Sequence, residues 1–199
     1  MSFASYADLQ GEIAGLIVRD DQATSIPGWI ELAEAAMNRT LRVTDMVTTA
    51  AITISSGTVA LPADFLAPIA LKINYLNGKK LTFVTPNKFS EQAVISGVPE
   101  YYTISGSNLL ISPPPTGSFS ASLTYRAKIP ALSNTNTSNW VLAKHPQAYL
   151  YGAAVHWAAK SDDQRGAGWQ ALFQSALSEI QRASAAQSYG GELQTSSGL

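Results

Sequence analysis

The length, composition and charge of this chain exclude several classes of protein. Its 199 residues carry a formal net charge of −1, which argues against a surface built to hold nucleic acid through basic residues. The chain contains no cysteine, so disulfides and thiolate chemistry are excluded. Apolar residues make up 46%, enough for one core, but only 14% are charged, against about a quarter in a typical domain. We expect one domain, and the low charge fits either a surface largely covered by other molecules or a neutral soluble monomer.

The N-terminal part predicts a helical hairpin. Ser5 can cap a helix that runs to about Arg19, and a second helix begins at Ile26 and ends near Arg42, which suits the negative end of a helix dipole. Apolar residues recur at three- and four-residue spacing in both segments. The predicted buried positions are Leu9, Ile13, Leu16, Ile17, Trp29, Ile30, Leu32, Ala33, Ala36, Met37 and Leu41.

The middle of the chain changes to a period of two, which predicts β-strands. The clearest alternation runs from Phe119 to Ile129, and it is typical of a strand with one wet face. Three short segments have the composition of hairpin turns, and they are Ser56–Gly57, Asn77–Gly78 and Gly106–Ser107. A short helix is predicted between Thr85 and Val94. We therefore predict an antiparallel β layer over residues 46–130.

The C-terminal part predicts a second helical hairpin. The helix from Pro146 to Lys160 is apolar on all faces, so every face must be covered, yet it is too short to span a membrane. Ser161 and Gln164 form a capping-box pattern before the next helix. That helix carries one apolar stripe, made of Trp169, Leu172, Phe173, Ala176, Leu177, Ile180 and Ala183.

These elements predict the α+β class: a bundle of N- and C-terminal helical hairpins with an inserted antiparallel β domain. The predicted domain covers residues 1–183, with helical layers at 5–42 and 140–183. Residues 184–199 are small, polar and without a stripe, so we expect a flexible tail. The N-terminal residues lack the pattern of an export signal or membrane anchor.

The residue chemistry predicts no catalytic, metal or cofactor site. His145 and His156 do not have metal-ligand spacing, and His156 is expected to be satisfied in or beside the bundle. Glu31 and Glu34 share one helix face, but nothing in the sequence places a carboxylate opposite them, as a glycosidase would need.

A series of short motifs, taken in order, resembles the head-to-tail adaptor proteins of short-tailed bacteriophages. The similarity runs from about Ile26 to Arg182. Its marks are Leu61-Pro62-x-Asp64-Phe65, Tyr102-x-Ile104, Leu109-x-Ile111-x-Pro113, Tyr125 before Ile129-Pro130-x-Leu132-Ser133, and Trp140 leading to Pro146-x-x-Tyr149-Leu150-Tyr151-Gly152-Ala153.

The resemblance implies a virion structural protein of the tail or neck, synthesised in the host cytoplasm, and not an enzyme. In such proteins a helical bundle carries a β domain, and twelve copies form a ring beneath the portal protein. The next tail component, the nozzle, joins below. DNA passes through the channel without sequence-specific binding, and neither a cofactor nor a membrane is involved.

Two groups of residues are candidates for contacts in such a ring. Because the Pro146–Lys160 helix is apolar all round, Tyr149, Tyr151 and Trp157 are expected to divide between the bundle core and a neighbouring subunit. Adaptors of this type attach through their C-terminal segments, so the resemblance makes Tyr189, Leu193 and Leu199 the candidates for portal docking.

Two other functions stay open on the sequence alone. One is a tail-associated enzyme that degrades peptidoglycan, with Glu31 or Glu34 as the acid. The other is a carbohydrate-binding module of a tail appendage, in which the polar face of the sheet with Tyr101 and Tyr102 would hold a sugar.

Overall fold

The computed structural model describes residues 3–18, 22–74, 78–92 and 95–189. It divides the chain into two compact units, one helical and one β-rich. The helical unit comprises residues 1–46 and 129–199, and the β unit comprises residues 47–128. The predicted α+β class is therefore confirmed.

The described residues form six α-helices and eight β-strands. The helices are α1 (Tyr6–Ile17), α2 (Ile26–Thr40), α3 (Pro86–Ser90), α4 (Trp140–Lys144), α5 (Pro146–Ser161) and α6 (Gly166–Tyr189). The strands are β1 (Val47–Ile54), β2 (Thr58–Ala60), β3 (Phe65–Ile73), β4 (Lys79–Lys80), β5 (Thr82–Phe83), β6 (Tyr101–Ser105), β7 (Asn108–Ser112) and β8 (Phe119–Ala127).

The ends of the N-terminal helices follow local rules. Ser5 caps α1 by accepting a hydrogen bond from the Asp8 amide at 3.2 Å, as predicted. Helix α1 ends when Val18 adopts a left-handed conformation, and the predicted end at Arg19 lies outside the described residues. Arg42 lies beyond the end of α2, where its guanidinium donates to the carbonyls of Asn38 and Leu41. The cation thus satisfies carbonyls that the helix leaves free.

Helix α5 is the centre of the helical unit, with α1, α2, α4 and α6 packed against it. This explains its apolar composition, because the chain's own helices cover most of its surface. The buried residues of α5 are Ala148, Tyr149, Leu150, Gly152, Ala153, Ala154, Trp157 and Ala158.

Helix α6 continues to Tyr189, six residues beyond the predicted end at Ala183. Ser184 is buried and accepts a hydrogen bond from the Thr44 amide at 2.9 Å, so a polar residue completes the packed stripe. Leu172 was predicted in the stripe but is 46% exposed. The expected flexible segment 184–199 therefore begins with helix, and residues 190–199 lie outside the described residues.

The turn between α5 and α6 differs from the predicted capping box. Ser161 donates to the Trp157 carbonyl inside α5 at 2.9 Å. Asp163 instead organises the turn, because its carboxylate accepts from the Arg165 amide at 2.8 Å. Asp162 ends α5 in the left-handed conformation.

The β unit contains two four-stranded sheets, in the orders β1-β8-β3-β4 and β2-β7-β6-β5. The prediction of a single antiparallel layer was wrong, and β5 and β6 pair in parallel. Ser56–Gly57 does not close a hairpin, because β1 pairs with β8 and β2 with β7. Turn residues show where a chain can reverse but not which strand it will pair with.

Two other predicted hairpins have the expected pairing. Gly106, at a φ of 58°, joins the antiparallel strands β6 and β7. Strands β3 and β4 pair antiparallel, but Asn77 in their connection lies outside the described residues. The predicted short helix is α3, which ends at Ser90, and Val94 also lies outside the described residues.

The core of the β unit has contributions from both sheets. Alternate residues of β8 are buried, which confirms the predicted period of two. The buried core residues are Ile54, Leu71, Ile73, Leu81, Tyr102, Leu109, Ile111, Ala121, Leu123, Tyr125 and Ala127. Ile129, predicted to continue the β8 alternation, lies beyond the strand and is buried in the helical unit.

Candidate interaction surfaces

A buried hydrogen-bond network fastens the segment after the β unit to the helices. Glu34, on α2, accepts from the Leu132 amide at 2.8 Å and from the Tyr149 hydroxyl at 2.9 Å through the same oxygen, Oε1. The side-chain amide of Asn139 donates to the Tyr149 oxygen at 2.6 Å and to the Pro130 carbonyl at 2.7 Å. One cluster thus links α2, α5 and the connecting chain.

The electrostatics of this network follow from its burial. Burial raises the pKa of Glu34, and the hydrogen bonds from Leu132 and Tyr149 oppose that shift. Burial and the nearby Glu34 carboxyl raise the pKa of Tyr149, so its hydroxyl stays protonated and remains a donor. The groups form a structural link within the core.

Glu31 and Glu34 line one small cavity of about 230 Å³, together with Tyr6, Pro27 and Leu132. Both acids come from α2, and no third carboxylate is among the lining residues. Glu34 is also occupied by two donors. This arrangement does not favour hydrolysis, which needs two carboxyl groups facing each other across the bond.

A metal site and a membrane-spanning helix would each leave a recognisable pattern in the structure. Among the residues it describes, no group of three or more His, Cys, Asp or Glu side chains could hold a metal ion. No helix in the described ranges is long and apolar enough to cross a membrane.

His156 contacts the Leu32 carbonyl, and burial lowers the pKa of its imidazole. His145 lies at the junction of α4 and α5.

Arg165 holds together the end of the helical unit at the α5–α6 turn. Its guanidinium lies 5.5 Å from the ring centre of Trp157 and 4.7 Å from that of Trp169. It also pairs with Asp163 at 2.9 Å. This ion pair lowers the pKa of the Asp163 carboxyl. The cluster packs both tryptophans against the chain's own residues.

The turn at Leu61–Phe65 is anchored to β8 in the β unit. The Tyr125 hydroxyl donates to Asp64 Oδ1 at 2.8 Å, and the Phe65 and Tyr125 rings stack with their centres 5.5 Å apart. The Lys128 amide donates to the Asp64 carbonyl at 2.7 Å. Burial, together with Asp64, raises the pKa of Tyr125 to about 12. The motif residues Asp64, Phe65 and Tyr125 thus have a common structural role.

The β unit also exposes apolar side chains around a shallow groove of about 350 Å³. Ile69 and Phe83 line it and are 44% and 49% exposed. Tyr102 also lines the groove, but it is buried and in edge contact with Phe83. Because Tyr102 belongs to the core, it is not available on a polar face to hold a sugar with Tyr101.

The profile of the SU10 adaptor protein family matches residues 4–194, nearly the whole chain. The chain belongs to the SU10 adaptor protein family. This makes it a phage adaptor, a structural component of the virion. No curated protein matches the chain.

The predicted subunit-interface residues of the adaptor have different surroundings. Tyr149 is fully buried and bonded to Asn139 and Glu34, so its side chain has no surface to offer a neighbouring subunit. Trp157 is 7% exposed and packs on Trp169. Tyr151 is half-buried. Of the three candidates, it has the most surface for a contact between subunits.

The predicted docking residues of the adaptor fall at the end of the described chain. Tyr189 is the last residue of α6, and its side chain is outside the described part. Leu193 and Leu199 lie outside the described residues.

Sequence reasoning missed the polar residues that hold the adaptor together. Asn38 accepts from the Ile129 amide at 2.8 Å, as Glu34 does from Leu132. Only Asn139 gave a sequence signal, because it precedes Trp140 as an N-cap, and its side chain accepts from the Leu142 amide at 2.9 Å. The partners of Asn38 and Glu34 are more than 90 residues away in sequence.

Proposed function

We propose that this adaptor forms a ring that joins the portal protein to the tail of a short-tailed bacteriophage and extends the DNA channel. The observation that carries the proposal is the family match over residues 4–194, which leaves little of the chain for another function. The protein acts as a structural part and not as an enzyme. The next tail component, the nozzle, binds the side of the ring away from the portal.

The two-unit organisation supports this role. Helices from both ends of the chain pack around α5 in the helical unit, and residues 47–128 form a separate β unit. Glu34 and Asn38 hold the chain where it re-enters the bundle. Each subunit therefore brings a bundle of its own to the assembly and does not need a neighbour to complete α5.

In the proposed ring, α5 is covered mainly by its own subunit, and Tyr151 is the residue of that helix that meets the next subunit. Tyr149 and Trp157 are buried in the core of the subunit itself. The C-terminal segment docks on the portal through Tyr189, Leu193 and Leu199, since aromatic and large apolar side chains often dominate interfaces. DNA slides through without being held, in keeping with the net charge of −1.

The test is to mix the purified protein with portal rings and obtain class averages by electron microscopy. We expect a second ring of twelve copies on one face of the portal. Tyr151→Asp should reduce its occupancy, whereas Gln174→Asp, at an exposed position on α6, is the matched control. Portal rings that stay bare, with both proteins folded, would contradict the proposal.

A further inference from the structure

The two sheets of the β unit end in edges of different character. In the first sheet β1 is terminal and pairs with β8 alone, along all eight of its residues. Within the described part of the chain, no other backbone hydrogen bond involves residues 47–54. Every second residue of β1 therefore directs its main-chain N–H and C=O away from β8, along an edge on which no described strand pairs.

The other edges of the β unit are short or protected. Opposite β1, the first sheet ends in β3 and β4, where β3 carries Pro68 and two register shifts and β4 consists of Lys79 and Lys80. Proline, bulges and lysine are the usual devices that prevent strands from adding to an edge. The second sheet ends in β2 and β5, of three and two residues.

Strand β1 has none of these devices. Its sequence, VTTAAITI, contains no charge, proline or glycine. Val47 is 42% exposed, and Thr49, Ala51 and Thr53 are exposed on one face. An uncharged β-forming segment on an open edge either pairs with another strand or drives aggregation.

We propose that β1 pairs antiparallel with β1 of a second copy of this chain, joining two of the first sheets into one. The partner strand must be long and unprotected, and β1 itself is the only described edge that meets both conditions. The pairing brings no like charges together. This pairing is two-fold symmetric, whereas neighbouring subunits in a ring contact each other head to tail. We therefore assign it to the free protein and not to the ring.

Single-cysteine cross-linking tests this pairing, because the natural chain contains no cysteine. Thr49→Cys, Ala51→Cys and Thr53→Cys place one thiol each on the exposed face of β1. Directly opposed residues have Cβ atoms about 4.5–5.5 Å apart and diagonal ones about 7–8 Å, so one variant, or one mixture of two, should form disulfide dimers fastest. The control is Thr124→Cys, which lies opposite Thr49 on β8, inside the same sheet.

We expect the best β1 pair to cross-link at least tenfold faster than the control. The cross-linking rates of the other β1 variants should decrease as their cysteines lie farther apart across the pairing. Equal rates for all variants, or rates no faster than that of Thr124→Cys, would overturn the proposal.

Sedimentation of the unmodified chain gives a second, independent measurement. We expect a monomer–dimer equilibrium at concentrations up to about 1 mM, and loss of the dimer in Ala51→Lys, which places two like charges at the paired edges. Thr58→Lys, on the short strand β2, should dimerise normally. A protein that stays monomeric, or a dimer that survives in Ala51→Lys, would show that β1 is not the pairing edge. Either result leaves the adaptor function untouched, since that is tested on the portal.

Discussion

At the scale of single residues, the most consequential group is the buried carboxyl of Glu34. It accepts from the Leu132 amide and the Tyr149 hydroxyl, and neither donor can reach water easily once buried. A buried donor that loses its acceptor carries the full cost of its desolvation. The acceptor oxygen of Glu34 therefore stabilises the folded protein. The negative charge of the carboxylate lowers that stability, because burial penalises the charged form.

Two substitutions of Glu34 should therefore lower stability by different amounts. Glu34→Ala removes the acceptor and should lower the free energy of unfolding by about 1–3 kcal/mol. Glu34→Gln keeps an acceptor oxygen and should be much less harmful. Urea unfolding measures both, and Glu31→Gln, at an exposed position on the same helix, is the control. Equal losses in the Ala and Gln variants would show that the acceptor oxygen is not what matters.

The raised pKa of Glu34 also makes this comparison depend on pH. Because the folded-state pKa lies above the unfolded one, the folded protein binds the proton more tightly. The resulting stabilisation is fully present below the unfolded pKa and is lost as pH rises through the folded pKa. Relative to wild type, Glu34→Gln should therefore be more favourable at about pH 8 than at about pH 4. Unfolding curves at the two pH values check the sign, and an unchanged difference would contradict it.

Tyr125 provides a second prediction at this scale. Its hydroxyl donates to Asp64 at 2.8 Å and so fixes the Leu61–Phe65 turn on β8. Tyr125→Phe keeps the stacking on Phe65 but loses that bond, and should cost about 0.5–1.5 kcal/mol. Thermal unfolding measures the loss, with Tyr101→Phe on β6 as the matched control. If both variants unfold alike, the bond contributes no net stability.

At the scale of elements, α5 requires close approach by its neighbours. A Cβ atom added to Gly152 would lie 2.8 Å from the Ala33 Cβ on α2 and 3.0 Å from the Phe173 ring on α6. Both distances are shorter than an ordinary contact, so α2 and α6 pack here because the residue is glycine. The apolar composition of α5 thus reflects a helix enclosed by its own chain.

Gly152→Ala should lower stability by about 1–3 kcal/mol, because α2 or α6 must move apart. Gly15→Ala is the matched control on α1, where an added Cβ has nothing within 4 Å. It should raise stability by about 0.5–1 kcal/mol, since alanine is the better helix former. Calorimetry of the two variants checks the opposite signs. A Gly152→Ala protein as stable as wild type would mean that the helices have room to shift.

At the scale of the whole molecule, the proposed assembly separates folding from attachment. The buried residues of the helical unit that lie nearest the C-terminus are Ile180 and Ser184, so the buried residues described all precede residue 188. A chain lacking residues 188–199, which include all three docking candidates, should unfold at the same temperature as the full chain but no longer bind portal rings. Portal rings that still bind the truncated protein at full occupancy would exclude this segment as the anchor.

The sequence by itself determined the class of the protein and most of its elements. The periodicity of α1, α2 and β8, the Ser5 cap and the Pro146 start of α5 are local features, and short-range physics is enough to predict them. The order of the motifs also pointed to a phage adaptor, as the family match then showed.

Only the tertiary structure decided which helices pack together and which strands pair. Tyr149, Tyr151 and Trp157 were expected to divide between the bundle core and a neighbouring subunit. Helices α1, α2, α4 and α6 enclose α5, and Tyr149 lies beside Glu34 and Asn139. Likewise, Ser56–Gly57 passes between two sheets because β1 and β2 find partners far along the chain. A residue's type shows that it must be buried or hydrogen-bonded. Which group covers it or bonds to it depends on contacts between distant segments, and those contacts exist only in the folded chain.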